Sequence, residues 1–252
     1  TVFHAYTENE GIKALYDKVD SDNVPGCFVG KPTKPWMDSA LDKSHGEKDS
    51  HGVFHIVSEK GGKSFDFGTC SCATKKAWQG SSSFMEICAD FSLNSTVPEY
   101  PRVGLEASVS GAFTKAKWYG CGPHECYSDR KYSALKGLHE VDIKDLEVPY
   151  IVPQENGLRC GVKYLELSGG GKTLHIQSDT EFSFSLLPYT AQDLYKCRHT
   201  SELVDLSKGS KGKWILTIDA AHRGVGTGAC GPDTLEQYRV RPGTYKLNLR
   251  IW

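Results

Sequence analysis

Three stretches of the chain gather side chains of the types that do chemistry. The first, Trp118 to Arg130, reads W-Y-G-C-G-P-H-E-C-Y-S-D-R and sets His124, Glu125, Asp129 and Arg130 close together. An imidazole beside a carboxylate could move protons, but neighbours on an extended strand point to opposite faces. Glu125 therefore also reads as a buried carboxylate bonded to Arg130 or to backbone amides. The second, Ile218 to Pro232, reads I-D-A-A-H-R-G-V-G-T-G-A-C-G-P. Its four glycines at 224, 226, 228 and 231 let the backbone approach a ligand closely. His222 and Cys230 could act as base and nucleophile, yet no third residue orients the imidazole. The glycine ladder lacks the following helix of a dinucleotide site. The third, Val148 to Gly161, reads V-P-Y-I-V-P-Q-E-N-G-L-R-C-G. Two prolines hold it extended, Asn156-Gly157 supplies a turn, and Glu155 and Arg159 are spaced for a local ion pair.

Composition narrows what these stretches can serve. The 252 residues carry a net charge of -1, with 24% charged and 38% hydrophobic residues. Such a balance gives no electrostatic basis for nucleic-acid or anionic-membrane partners, and no apolar run is long enough for a membrane-spanning helix. Nine cysteines cannot all pair within one chain. The Cys70-x-Cys72 spacing and the Cys121/Cys126 spacing both fail as zinc knuckles, so neither a metal nor a cofactor is expected. A secreted, extracellular chain with a few disulfides is expected instead, with a glycosylation sequon at Asn94.

The elements that must position these stretches are strands. Period-two alternation marks Val53 to Val57, Ser64 to Phe67, Phe84 to Leu93, Val103 to Val109 and Phe113 to Tyr119. It continues in Lys163 to Leu167, Thr173 to Ile176, Phe182 to Leu186, Trp214 to Ile218 and Tyr245 to Ile251. Gly169-Gly170-Gly171 fails the spacing of a phosphate loop and is predicted to be a hairpin turn. Helices are predicted around Ile12 to Val19, over Pro35 to Lys43 with Trp36 and Leu41 on one face, and over Ala191 to Cys197 with Thr190 as N-cap. Lys43 to Ser50 reads as a solvated loop. About ten strands without a βαβ rhythm predict an all-β antiparallel sandwich, one domain over residues 1–252.

Taken in order, the three stretches, together with P-Y-T-A-Q-D-L-Y-K-C-R-H-T-S-E-L before the second, resemble the C-terminal, small-chain domain of family 2 β-galactosidases. The opening F-H-A-Y-T-E-N-E-G is similar to that family's F-x-R-A-P-x-D-N-D-x-G, with His4 and Tyr6 standing at its Arg and Pro. The resemblance implies a large super-sandwich of the galactose-mutarotase kind, whose loops border an active site built mainly by a separate barrel. It implies a mobile loop after Gly11, Cys230 beside the aglycone sugar, and no catalytic carboxylate in this domain. A barrel of roughly 250 residues has no room here. The expectation is a galactoside-binding, lectin-like protein without its own hydrolytic centre, acting alone or as a homo-oligomer. The alternative is the small subunit of a retaining β-galactosidase that completes the site of a separate barrel chain. Trp118 or Trp36 would stack on galactose, with Glu125, Arg223, Thr227, Cys230 and Asp233 around it.

Overall fold

The computed structural model describes residues 1–10, 33–80, 82–209, 211–226 and 233–252. The helix expected at residues 12–19, the loop after Gly11, and Thr227 and Cys230 lie outside the described residues.

The strands are β1 (His45–Lys48), β2 (Phe54–Lys60), β3 (Lys63–Gln79), β4 (Ser82–Leu93), β5 (Arg102–Ser110) and β6 (Lys115–Gly122). There follow β7 (Leu135–Asp142), β8 (Arg159–Gly169), β9 (Lys172–Leu187), β10 (Lys213–His222) and β11 (Gly243–Ile251). They join in the order β1-β2-β3-β4-β11-β9-β8-β6-β7, with β10 linking β9 to β5. Every pairing is antiparallel. The architecture is all-β, an 11-stranded antiparallel sheet consistent with a β-sandwich.

Strand β9 makes the sheet fold over. Its first half pairs with β8 and with the end of β11, while Ser183 to Leu187 pair with Ile215 to Asp219 of β10. Phe182, Phe184 and Leu186 then share one core with Phe67, Phe91, Val103, Trp118, Leu165, Leu216 and Leu247. Alternation drives this, since strands such as β4 bury every second residue toward their end. The two-residue turn between β8 and β9 has Gly170 at φ 58° and Gly171 at φ 72°. Only glycine takes that pair without strain, so the triple glycine is the predicted hairpin.

Two strands depart from the sequence reading. β1, H-G-E-K, is exposed at all four positions, and β7 buries no residue fully. Both are edge strands whose ladder partners, not their own hydrophobicity, hold them extended. The predicted helix over Pro35 to Lys43 is two pieces, an α-helix Thr33–Asp38 and a 3-10 turn Leu41–Lys43. Ala40 between them sits in the left-handed region at φ 50° and ψ 44°, which breaks the helix. The helix Ala191–Lys196 has the predicted Thr190 cap, closed by a reciprocal bond with Asp193. No described helix is long and apolar enough to cross a membrane.

Candidate functional site

The three chemical stretches meet the N-terminal segment at one end of the sheet, around a chain of buried charges. Arg102 opens β5 and donates through Nε and Nη2 to both oxygens of Asp219 in β10, at 2.7 to 3.3 Å. Its Nη1 lies 3.5 Å from Glu155 Oε2. Glu155 Oε1 faces His222 Nε2 at 3.6 Å, and His222 Nε2 is 3.1 Å from His4 Nδ1. The other nitrogen of His4 meets the carboxylate of Glu10 at 2.9 Å. Glu10 in turn lies 3.5 Å from Arg223, which donates to Glu99 and to Asp233 at 2.8 Å each. Arg239 closes the far end against Glu99 and Asp233.

Such groups survive burial only because each is paired. Burial pushes the Glu10 carboxyl up, but His4, Arg223 and the Thr7 N–H together hold it down at about 2. Burial acts on Glu155 in the same sense, and Arg102, His222 and His4 hold it at about 2. Arg223 is kept cationic against burial by Glu10, Glu99 and Asp233.

The Val148 to Gly161 stretch feeds this chain. The Glu155 N–H donates to Ala5 O at 2.9 Å, and Gln154 Oε1 accepts from the Glu8 N–H, so the elbow clamps the N-terminal segment. The expected Glu155–Arg159 pair does not form. Arg159 spends its guanidinium on the carbonyls of Pro123, Leu146 and Gly157, at 2.6 to 3.2 Å, and stacks over Trp118. Gly157, at φ 75°, turns the chain so that these two side chains diverge.

Glu125 accepts from Arg130, the Tyr150 hydroxyl and the Gly157 N–H, whereas His124 turns outward to Ser133. Glu125 is thus the braced carboxylate, and the two neighbours form no proton-transfer pair. The glycine ladder brings its backbone close to a protein side chain: Asp129 accepts from the N–H groups of Val225 and Gly226. A Cβ on Gly224 would stand 2.5 Å from the Asp129 carboxyl carbon, so the approach requires glycine there. Trp118 and Trp36 are both 0% exposed, which corrects their assignment as sugar-stacking faces: neither ring presents a face to solvent. Trp36 instead donates to Glu99 O and lies under the Arg223 guanidinium. Arg223 is fully buried, while Asp233 keeps 13% of its side chain exposed.

Other expectations concern the periphery. Asn94 is exposed, but its amide nitrogen, where a glycan would attach, donates to Asp66 O at 2.9 Å. Cys70, Cys72, Cys88, Cys121, Cys126 and Cys160 are thiols, with the sulfurs of Cys126 and Cys160 3.1 Å apart. An open groove of about 300 Å³ runs beside the network, lined by Ser128, Glu181, Ala221, His222, Tyr238 and Arg239 among others.

Sequence reasoning gave no site role to His4, Glu10, Glu99, Arg102 or Asp219. A signal was present: Arg102 and Asp219 are charges directly abutting the predicted strands Val103 to Val109 and Trp214 to Ile218, where a buried charge demands a partner.

Comparison with known families places this arrangement. Residues 1–251 match the model of the beta galactosidase small chain. The chain belongs to that family. A beta-galactosidase of Vibrio cholerae serotype O1 is 38% identical over 175 residues, covering 66% of this chain and 16% of that protein. One from Arthrobacter sp. strain B7 is 35% identical over 158 residues, covering 60% and 15%. One from Kluyveromyces lactis is 35% identical over 147 residues, covering 57% and 14%. The match therefore spans about a sixth or less of these relatives.

Proposed function

We propose that the chain acts as the small-chain part of a retaining β-galactosidase, finishing a catalytic site whose barrel lies elsewhere. The observation that carries this reading is the convergence of the N-terminal segment, the elbow and the segment after β10 on one buried ionic network. A network of that kind fixes loop positions, which is what a domain bordering another's active site must supply. The small-chain family match over residues 1–251 supports it.

In a retaining glycosidase two carboxyl groups about 5 Å apart act as nucleophile and acid/base. The buried carboxylates described here are each held by arginine, histidine or backbone partners, so their task is support. On this reading the segment after Gly11 would close over substrate and Cys230 would stand beside the aglycone sugar, as the family resemblance implies. The two rings offered for stacking in the free-standing lectin reading, Trp118 and Trp36, lie in the core.

The test is to isolate the native protein from its source and measure its intact mass, its hydrolysis of a chromogenic β-galactoside, and the heat of galactose titration into the isolated 252-residue chain. The expected result is a barrel-bearing partner or a longer continuous polypeptide, turnover only in that assembly, and no sugar heat from the isolated chain. A chain found alone that binds galactosides would replace this reading with the lectin one.

A further inference from the structure

With both imidazoles neutral, the hydrogen positions around His4 and His222 leave acceptors facing acceptors, which a proton or a metal ion would resolve. His222 Nδ1 lies 2.8 Å from the Arg223 carbonyl, which can only accept, so that nitrogen carries hydrogen and Nε2 presents a lone pair. His4 Nε2 lies 2.9 Å from Glu10, so that nitrogen carries hydrogen and Nδ1 presents a lone pair. With both rings neutral, these two lone pairs face each other at 3.1 Å. Glu155 Oε1, on a side chain 2% exposed, points into the same space without any hydrogen-bond partner. Three acceptors thus converge, and their atoms all lie within 4.8 Å of one another.

Their surroundings have the form of a metal site. Each histidine is oriented from behind, one by a carboxylate and the other by a backbone carbonyl, as metal-bound imidazoles are. Zinc–nitrogen bonds of about 2.0 to 2.1 Å set tetrahedral ligand atoms about 3.4 Å apart. Two of the three separations, 3.1 and 3.6 Å, bracket that value, and the third is no more than 4.8 Å. The charge points the same way. Along the network, the carboxylates of Glu10, Glu99, Glu155, Asp219 and Asp233 outnumber the guanidiniums of Arg102, Arg223 and Arg239 by two. A divalent ion would cancel that excess, as protons on both imidazoles also would, and the nitrogen NMR measurement below separates the two.

We propose that His4 Nδ1, His222 Nε2 and Glu155 Oε1 bind a structural zinc ion that ties the N-terminal segment to the elbow and to the end of β10. Two histidines and a carboxylate supply three of the four ligands of a tetrahedral zinc, and a water would take the fourth position. The ion would stabilise the fold by tying together three buried residues from distant parts of the chain.

The 252-residue chain, prepared without chelating tags, is dialysed against zinc and analysed by elemental mass spectrometry, with cobalt(II) as a spectroscopic substitute. About one zinc per chain, tetrahedral cobalt bands, and a melting temperature lowered by chelator and restored by zinc are expected. The His4→Arg variant supplies a fixed positive charge in place of the ion, and it should fold yet bind neither metal. If Glu155→Gln fails to fold, the wild-type metal content and its chelator response still decide. A folded wild-type chain with no bound zinc and no cobalt bands after dialysis would overturn the proposal. So would a doubly protonated imidazole seen by nitrogen NMR in zinc-saturated protein.

Discussion

Arg223 donates to Asp233, ten positions further along the chain, at 2.8 Å. The same guanidinium donates to Glu99 and lies within 3.5 Å of Glu10. One buried guanidinium therefore reaches three carboxylates from three separate parts of the chain.

Replacing Arg223 should be severe. Arg223→Met leaves Glu10 and Glu99 buried with less positive charge beside them, and should lower unfolding free energy by about 3–5 kcal/mol. Arg223→Lys should recover only part of this, because an ammonium cannot serve separate partners through Nε, Nη1 and Nη2 at once. Urea unfolding monitored by circular dichroism measures both. A loss below about 1 kcal/mol for Arg223→Met would show that the network relaxes or hydrates.

Tyr100 sets an alkaline limit. Its buried hydroxyl donates to Phe67 O and Asn94 O, and burial, with Asp66 and Tyr245, raises its pKa from 10.0. A raised folded-state pKa means that this stabilisation is complete below pH 10 and is lost as pH climbs beyond it. Tyr100→Phe should cost about 1–2 kcal/mol at neutral pH and make the decline above pH 10 shallower. Melting temperatures of both proteins from pH 8 to 12 test this, and parallel curves would refute it.

The cysteines should divide by position. Cys72 and Cys88 are exposed on β3 and β4, whereas Cys70, Cys126 and Cys160 are buried. A bulky maleimide on the reduced native protein should label Cys72 and Cys88 within minutes, leaving the buried three for denaturant. Burial raises the pKa of Cys72, so its labelling should accelerate with pH. Peptide mapping reads the sites, and native labelling of Cys126 would contradict the packing.

Much of the fold was legible because its central strands alternate. β4, β9 and β10 carry apolar side chains that had to share a core, and the Gly170-Gly171 turn had one sensible geometry. β1 and β7 were not legible, since an edge strand is held by its neighbour's ladder and need bury little of its own surface. The site was legible in its segments but not in its pairings. Glu155 has Arg159 four positions away and pairs instead with Arg102, with His222 3.6 Å from its other oxygen, because Gly157 turns the backbone between them. His4 and His222 lie 218 positions apart, and no local spacing rule reaches across such a distance.

The separation of Glu10 from Arg223 by 213 positions also constrains how the domain is made. At ribosomal rates of about 5–20 residues per second, the N-terminal segment waits roughly ten to forty seconds for its counter-charges to be synthesised. Until then His4 and Glu10 must stay in water, and the sheet end they seal must stay open. A transcript cut short before β10 would leave that end unsealed, giving cellular quality control a physical mark by which to recognise an unfinished product.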